Sequence, residues 1–245
     1  MNALRCAMLA MLVSTAACHG ATPWTAVAPD NRTVLEVKKH RGQLCVSLAG
    51  RRQGCHEQVA LRWLAFDDAG QHVAYPAGRG SQWMMIHDGA PGAVWDEVGR
   101  PVLGAQAGRL AYAARRGDQW HVVLDGVPDP PFAAIRAGSI AFDATGARVA
   151  YQGVRGDTTV TVIDGVETGR WAAAGNVHLG AGGRRWANSA RIGARWHLVT
   201  DAGVGPPYDE IGELVPGSGE ATTMYAARVH DGWHVKHDDR SDGPF

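Results

Sequence analysis

An all-β fold assembled from six copies of one unit is what this 245-residue sequence predicts, and three observations support the expectation. First, four residue columns share one set of spacings. Tyr75, Tyr112, Tyr151, Asn188 and Tyr225 lie 37, 39, 37 and 37 residues apart, and a further step of 39 back from Tyr75 reaches Glu36. The same steps join Leu44, Trp83, Trp120, Thr159, Trp196 and Trp233, then His56, Trp95, Phe132, Trp171, Tyr208 and Phe245, then Ala49, Asp88, Asp125, Asp164, Asp201 and Asp238. Self-similarity at a fixed period of this size marks a repeat architecture. Second, segments such as Val73-Ala-Tyr75, Leu110-Ala-Tyr112 and Val149-Ala-Tyr151 alternate large and small residues, and nothing beyond the N-terminal segment sustains a helical period. Third, Asp-Gly recurs at 88–89, 125–126 and 164–165, the strongest short hairpin signal.

Each unit reads as four strands. A first strand is expected at Trp24–Val27, Trp63–Phe66, Val102–Leu103, Ser139–Phe142, Val177–Leu179 and Glu213–Val215. Turn-rich residues such as Asp67-Asp-Ala-Gly70 lead into a second strand that carries the Tyr column. A polar loop and a Trp-led strand such as Trp120–Leu124 follow, and Asp-Gly returns the chain as a fourth strand. Four short strands per roughly 38 residues, six times over, resemble the blades of a β-propeller. The fold class is therefore an all-β, six-bladed β-propeller over residues 24–245. Phe245 falls on the first aromatic position of the last unit's fourth strand, so the sixth blade is expected to be incomplete, with Trp233–His237 as an exposed edge.

Phe66-Asp-Asp-Ala-Gly70…Val73-Ala-Tyr75 and Phe142-Asp-Ala-Thr-Gly146…Val149-Ala-Tyr151 resemble the repeated motif of TolB-like, WD-repeat-like propellers, and Ala28-Pro-Asp-Asn31 keeps part of it. Departures are Glu36 and Asn188 in the aromatic column and Ala105-Gln-Ala-Gly108 in the turn. The resemblance implies the fold and a binding platform. It names no ligand, because one fold hosts many functions.

The 24 basic residues balance the 24 acidic ones, which speaks against a nucleic-acid partner. A basic start, Met1–Arg5, and eight apolar residues, Cys6–Val13, are too short to span a bilayer and read as a signal peptide. Ser14-Thr-Ala-Ala-Cys18 resembles a bacterial lipobox, which implies a signal peptide at 1–17, lipid on Cys18 and a tether at 18–23. His19 after the cysteine implies an outer-membrane lipoprotein facing the periplasm or the cell surface. Cys45 and Cys55 lie five residues either side of Gly50, cross-strand in a hairpin, and are expected to pair in an oxidising compartment.

No catalytic motif and no cofactor site is legible. His230, His234 and His237 with Asp238, Asp239 and Asp242 suggest a metal, but they run along one strand and its turn, and His234 shares its column with His121 and His197. Asp96-Glu97 and Asp209-Glu210 sit on different rim strands rather than facing one another. One pattern points to a surface. Loops joining second to third strands, and fourth to first, share one end of a propeller, and that end gathers Lys38, Lys39, Arg41, Arg62, Arg79, Arg100, Arg115, Arg116, Arg136, Arg155, Arg191 and Arg228 as a candidate anionic-surface face. Acidic residues gather at the other end. The expected function is a non-catalytic, monomeric, membrane-anchored lipoprotein that binds a protein partner. The competing expectation is a propeller enzyme or small-ligand sensor using the axial channel, to which the first strands offer His178 and Glu213.

Overall fold

The residues around the Tyr column alternate across the pleat and form the spine of each repeat: Val34–His40, Val73–Arg79, Leu110–Arg116, Val149–Arg155, Trp186–Ile192 and Thr223–Val229. The computed structural model describes residues 23–105, 108–180, 185–216, 223–230, 232–237 and 240–245. The expected signal segment, Cys18, the tether as far as residue 22, Asp238 and Asp239 lie outside them. Each spine strand turns tightly into a third strand: Gln43–Leu48, Gln82–His87, Gln119–Leu124, Thr158–Ile163, Arg195–Thr200 and Gly232–His237. Fourth strands follow at Arg51–His56, Ala90–Trp95, Val127–Pro128, Val166–Trp171, Gly203–Tyr208 and Arg240–Asp242. Six antiparallel sheets of four or five strands result, each in chain order.

The turns into the fourth strands follow from the Asp-Gly pairs. Asp88, Asp125 and Asp164 take φ of 49°, 50° and 51°, with Gly89, Gly126 and Gly165 at 83°, 86° and 77°. Two successive left-handed residues are what a type I′ hairpin needs, and Asp followed by Gly tolerates them best.

The first strands depart from the sequence reading. In the second to fifth sheets two separate two-residue strands pair with the spine. Glu97–Val98 lies along the far half of Leu110–Arg116, and Val102–Leu103 along its near half. Only the second piece had been expected. Trp63 belongs to a 3-10 turn, Leu61–Trp63, leaving Ala65–Phe66 as strand. The sixth sheet keeps one continuous first strand, Glu210–Pro216, with a register shift between Ile211 and Leu214.

Packing between sheets runs in chain order. Tyr75, Ala77 and Ile86 of the second sheet pack on Leu35, Val37 and Val46 of the first. Tyr112, Ala114 and Val123 of the third meet Ala74, Met85 and Trp95 of the second. Tyr151 and Val162 meet Val122 and Phe132, Val177 meets Ala150 and Ile163, and Tyr225 and Ala227 meet Ala187 and Tyr208. One face of every sheet thus offers the small-residue column and the middle of the third strand. At the first three joints the facing sheet covers it with Tyr, Ala or Gly, and a β-branched residue, whereas the fifth sheet brings Asn188 and the sixth brings Lys236 in these columns. Among the described residues there are five joints between six sheets, the fourth of them carrying buried Gln152, Thr161 and Asn188.

The two terminal faces are unlike. The outward face of the first sheet carries Glu36 where four of the other five have Tyr, with Lys38 paired to it at 2.6 Å and Ser47 opposite. Cys45 and Cys55 share that face, joined with a Cα–Cα distance of 4.0 Å, and the Arg52 guanidinium lies beside their sulfurs. Closing a loop this short contributes about 2–3 kcal/mol in the chain-entropy picture. The outward face of the sixth sheet is uncovered and carries an apolar row, with Arg228, His237, Arg240 and Asp242 on the same face by register. Val235 is 39% exposed, whereas Val46, Met85 and Val122 in its column are at most 1%. Beside it Met224 is 41% and Val215 51% exposed, and Trp233 completes the row.

The expected open edge along Trp233–His237 is covered. Val235, Lys236 and His237 pair with Asp242, Ser241 and Arg240, and the Phe245 N–H donates to Trp233 O at 3.0 Å. The last fourth strand is nonetheless half the length of most others, three residues against six. The sequence reading placed the strand at the aromatic column, but the five residues before Phe245 already supply the ladder.

Candidate functional site

The aspartates of the Asp-Gly turns build one device three times over. Asp88, Asp125 and Asp164 accept the N–H of Val73, Leu110 and Val149 on Oδ1 at 2.8–2.9 Å. Their Oδ2 atoms pair with the residue just before each spine strand: His72 Nδ1 at 2.6 Å, Arg109 Nε at 2.9 Å and Arg148 Nε at 2.6 Å. Asp67 and Asp143 hold the preceding turns, accepting from the His72 and Arg148 backbones. Although desolvation opposes it, hydrogen bonds from the Arg148 backbone and Thr145 hold the Asp143 carboxyl below the usual range. The acids of this end are structural, and much of their charge is already satisfied.

The opposite end has carboxylates woven among its bases. Because the first short strand of each sheet lies along the far half of the spine, Glu97 sits opposite Arg115 and Glu210 opposite Arg228, at 3.2 and 3.3 Å. Arg79 pairs with Glu57 at 3.2 Å, Arg155 with Glu167, and Lys38 with Glu36. Arg116 and Arg62 lie over the Trp95 and Trp63 rings, and Arg136 donates to Gln152 and to the Ala174 carbonyl. Asp96 and Glu97 stay at the solvent-facing rim and accept from the Gly117 N–H and the Arg115 guanidinium. Eight of the twelve bases grouped by the sequence are therefore engaged, which shrinks the charge contrast between the ends.

Toward the axis, burial pushes the His178 imidazole below its ordinary range, against the pull of the Glu213 charge. His121 and His197 each bond through Nδ1 to a fourth-strand carbonyl, of Asp129 and Gly205, at 2.7 and 2.8 Å, and His234 occupies the same position. The feature that sequence reasoning missed is the uncovered apolar face of Val215, Met224, Trp233 and Val235. Its signal was Glu36, Lys38 and Ser47 standing where the second to fourth repeats place Tyr, a small residue and a β-branched residue.

No protein-family model matches the chain, and no curated protein matches it. Solved structures do. A eukaryotic initiation factor is similar over 87% of this chain and 62% of its own, at 10% identity and a TM-score of 0.50. TolB from Acinetobacter baumannii aligns over 89% of this chain and 61% of its own at 11% identity, with a TM-score of 0.41. The β-propeller domain of a trilobed protease from Pyrococcus furiosus covers 89% and 79%, at 10% identity and a TM-score of 0.39. The fold is a β-propeller. Its sheets are blades, and the uncovered face belongs to the sixth. Among the described residues no helix is long and apolar enough to cross a membrane.

Proposed function

We propose that this propeller is a non-catalytic, membrane-anchored scaffold that binds a protein partner through the outward face of its sixth blade. One observation supports the reading: Met224 and Val235 are exposed at positions where the first four blades bury Leu35, Ala74, Ala111 and Ala150, and Val46, Met85, Val122 and Thr161, with Val215 and Trp233 exposed beside them. Contiguous apolar surface of this kind marks an interaction site. The first three internal joints define the occupant, a partner β-sheet offering an aromatic residue, a small residue and a β-branched one. The first blade, with Glu36, Lys38 and Ser47, does not offer that set.

The anchor is lipid on Cys18. Trp24 pairs with Val37, in the half of the spine strand that leads into the Lys39–Arg41 turn. Residues 19–23 span at most ~20 Å, so the lipid would hold this end at the membrane. Lys39, Arg41, Arg100 and Arg191 remain there to meet anionic headgroups. The acidic end then points away from the bilayer.

The test uses the full chain in a two-membraned bacterium, with a photo-crosslinking residue at Val235 or, as a control, at Val204 on the fifth blade's rim. Position 235 should give one discrete adduct, absent from position 204 and lost in Met224→Glu. The purified partner should bind the wild-type chain at least about tenfold more tightly than Met224→Glu, a difference of about 1.4 kcal/mol. Cys18→Ser should release the chain from the membrane fraction. Equal adducts from both positions, or an adduct that is a second copy of this chain, would overturn the partner reading, and membrane retention of Cys18→Ser would overturn the anchor.

A further inference from the structure

The second blade breaks the repeated aspartate device in two places at once. Before the spine strand the third and fourth blades place Arg109 and Arg148, and the second places His72. At the end of the third strand, where those blades place Leu124 and Ile163, the second places His87. The hairpin brings both imidazoles to Asp88, with His72 Nδ1 2.6 Å and His87 Nε2 3.6 Å from Oδ2. One donor atom from each of the three residues lies within 4.8 Å of the other two. Asp88 Oδ1 is committed to the Val73 N–H at 2.9 Å, which fixes the carboxylate and leaves Oδ2 turned to the histidines.

One buried polar atom of this cluster, His87 Nε2, is aimed at Asp88 and has no hydrogen-bond partner. A buried polar atom without a partner costs about 1–3 kcal/mol, a cost that a coordinate bond to an ion would remove. Asp88, but neither histidine, also lines a cleft of about 480 Å³ between the first and second blades, together with Thr33, Arg51, Gln53 and Gln71.

We infer that His72, His87 and Asp88 form a binding site for a divalent transition-metal ion of the zinc class. Two imidazoles and a carboxylate suit Zn²⁺ at about 2.0–2.2 Å, and three protein ligands leave a fourth position for water. Binding replaces the His72–Asp88 hydrogen bond by two coordinate bonds. Nδ1 must present its lone pair, so a doubly protonated His72 gives up one proton to solvent as the ion enters. The metal then does in the second blade what the Arg109 and Arg148 guanidinium groups do in the third and fourth, neutralising the turn aspartate and bracing the hairpin.

The probe is Zn²⁺ itself, titrated calorimetrically into the full chain stripped of metal, with Co²⁺ as a spectroscopic substitute. One ion per chain and a tetrahedral cobalt spectrum are expected. His72→Arg restores the arrangement of the neighbouring blades and His87→Leu copies Leu124, so both variants should fold while losing at least about tenfold in zinc affinity. Zinc binding only at millimolar concentration, or unchanged binding in both variants, overturns the site. So does an affinity that falls instead with changes at His230, His234 or His237.

Discussion

Replacing Val122 by lysine should cost more than about 4 kcal/mol, while the same replacement at Val235 should change stability by no more than about 0.5 kcal/mol. The two positions occupy one column of the repeat, on strands of the same length and pairing. Sequence propensity is therefore matched, and only the surroundings differ. Val122 is wholly buried, packed among Phe132, Tyr151 and Val160 where the third blade meets the fourth. An ammonium there loses its water and gains no partner. Val235 faces outward and lies opposite Asp242, which a lysine can meet. Urea midpoints of the two variants measure the difference. With total stabilities of about 5–15 kcal/mol for a folded domain, Val122→Lys should be close to unfolded.

Tyr151→Ala is expected to cost about 3–5 kcal/mol, and Tyr151→Phe about 1.5 kcal/mol. The ring is fully buried and stands edge-on to Phe132, with centroids 6.0 Å apart and planes at 88°. Truncation leaves a cavity in the joint between the third and fourth blades, which backbone hydrogen bonds on both sides prevent from collapsing. The phenylalanine variant keeps the packing and loses only the bond from the phenol to Asp129 Oδ2 at 2.8 Å. Its cost is small because Asp129 is partly exposed and can turn to water. Thermal or urea unfolding of both variants separates the packing contribution from the polar one. Equal losses would mean that the hydrogen bond, not the ring, holds the joint.

The repeat was legible because its columns are structural. Tyr75, Tyr112 and Tyr151 recur because each must fill a joint, and Asp88, Asp125 and Asp164 recur because each must turn a hairpin. What periodicity reads poorly is what the repeat does not dictate. Two-residue strands such as Glu97–Val98 and Ala134–Ile135 are too short to show alternation, so the outer half of each first strand went unseen. Missing it misplaced Glu97 and Glu210, whose register opposite Arg115 and Arg228 neutralises bases that the sequence grouped as a face. His72 and His87 lie 15 residues apart and meet only through the hairpin between them. Their clue was available as two deviations in one repeat, but neither stands out without the Arg109–Asp125 and Arg148–Asp164 pairs beside it.

The uncovered face shows the same limit. The sequence places apolar residues on both faces of every blade, and it does not say which face lacks a neighbour. The substitutions Glu36, Lys38 and Ser47 acquire that meaning once Tyr75, Ala77 and Ile86 are seen covering the first blade on its other side. Met224 of the sixth blade is then open to water in a column where Leu35 of the first blade and the alanines of the others are buried.

Methionine oxidation of the native, unmodified chain tests that central claim most directly. Met85 and Met224 lie on matching faces of the second and sixth blades, the first 1% and the second 41% exposed. Sulfoxide formation by dilute peroxide follows exposure of the thioether. Peptide mass spectrometry over a time course should find Met224 oxidised early, while Met85 stays reduced until the protein unfolds. Equal, slow oxidation of the two would mean that the sixth blade's face is covered in the free protein, and would contradict the account.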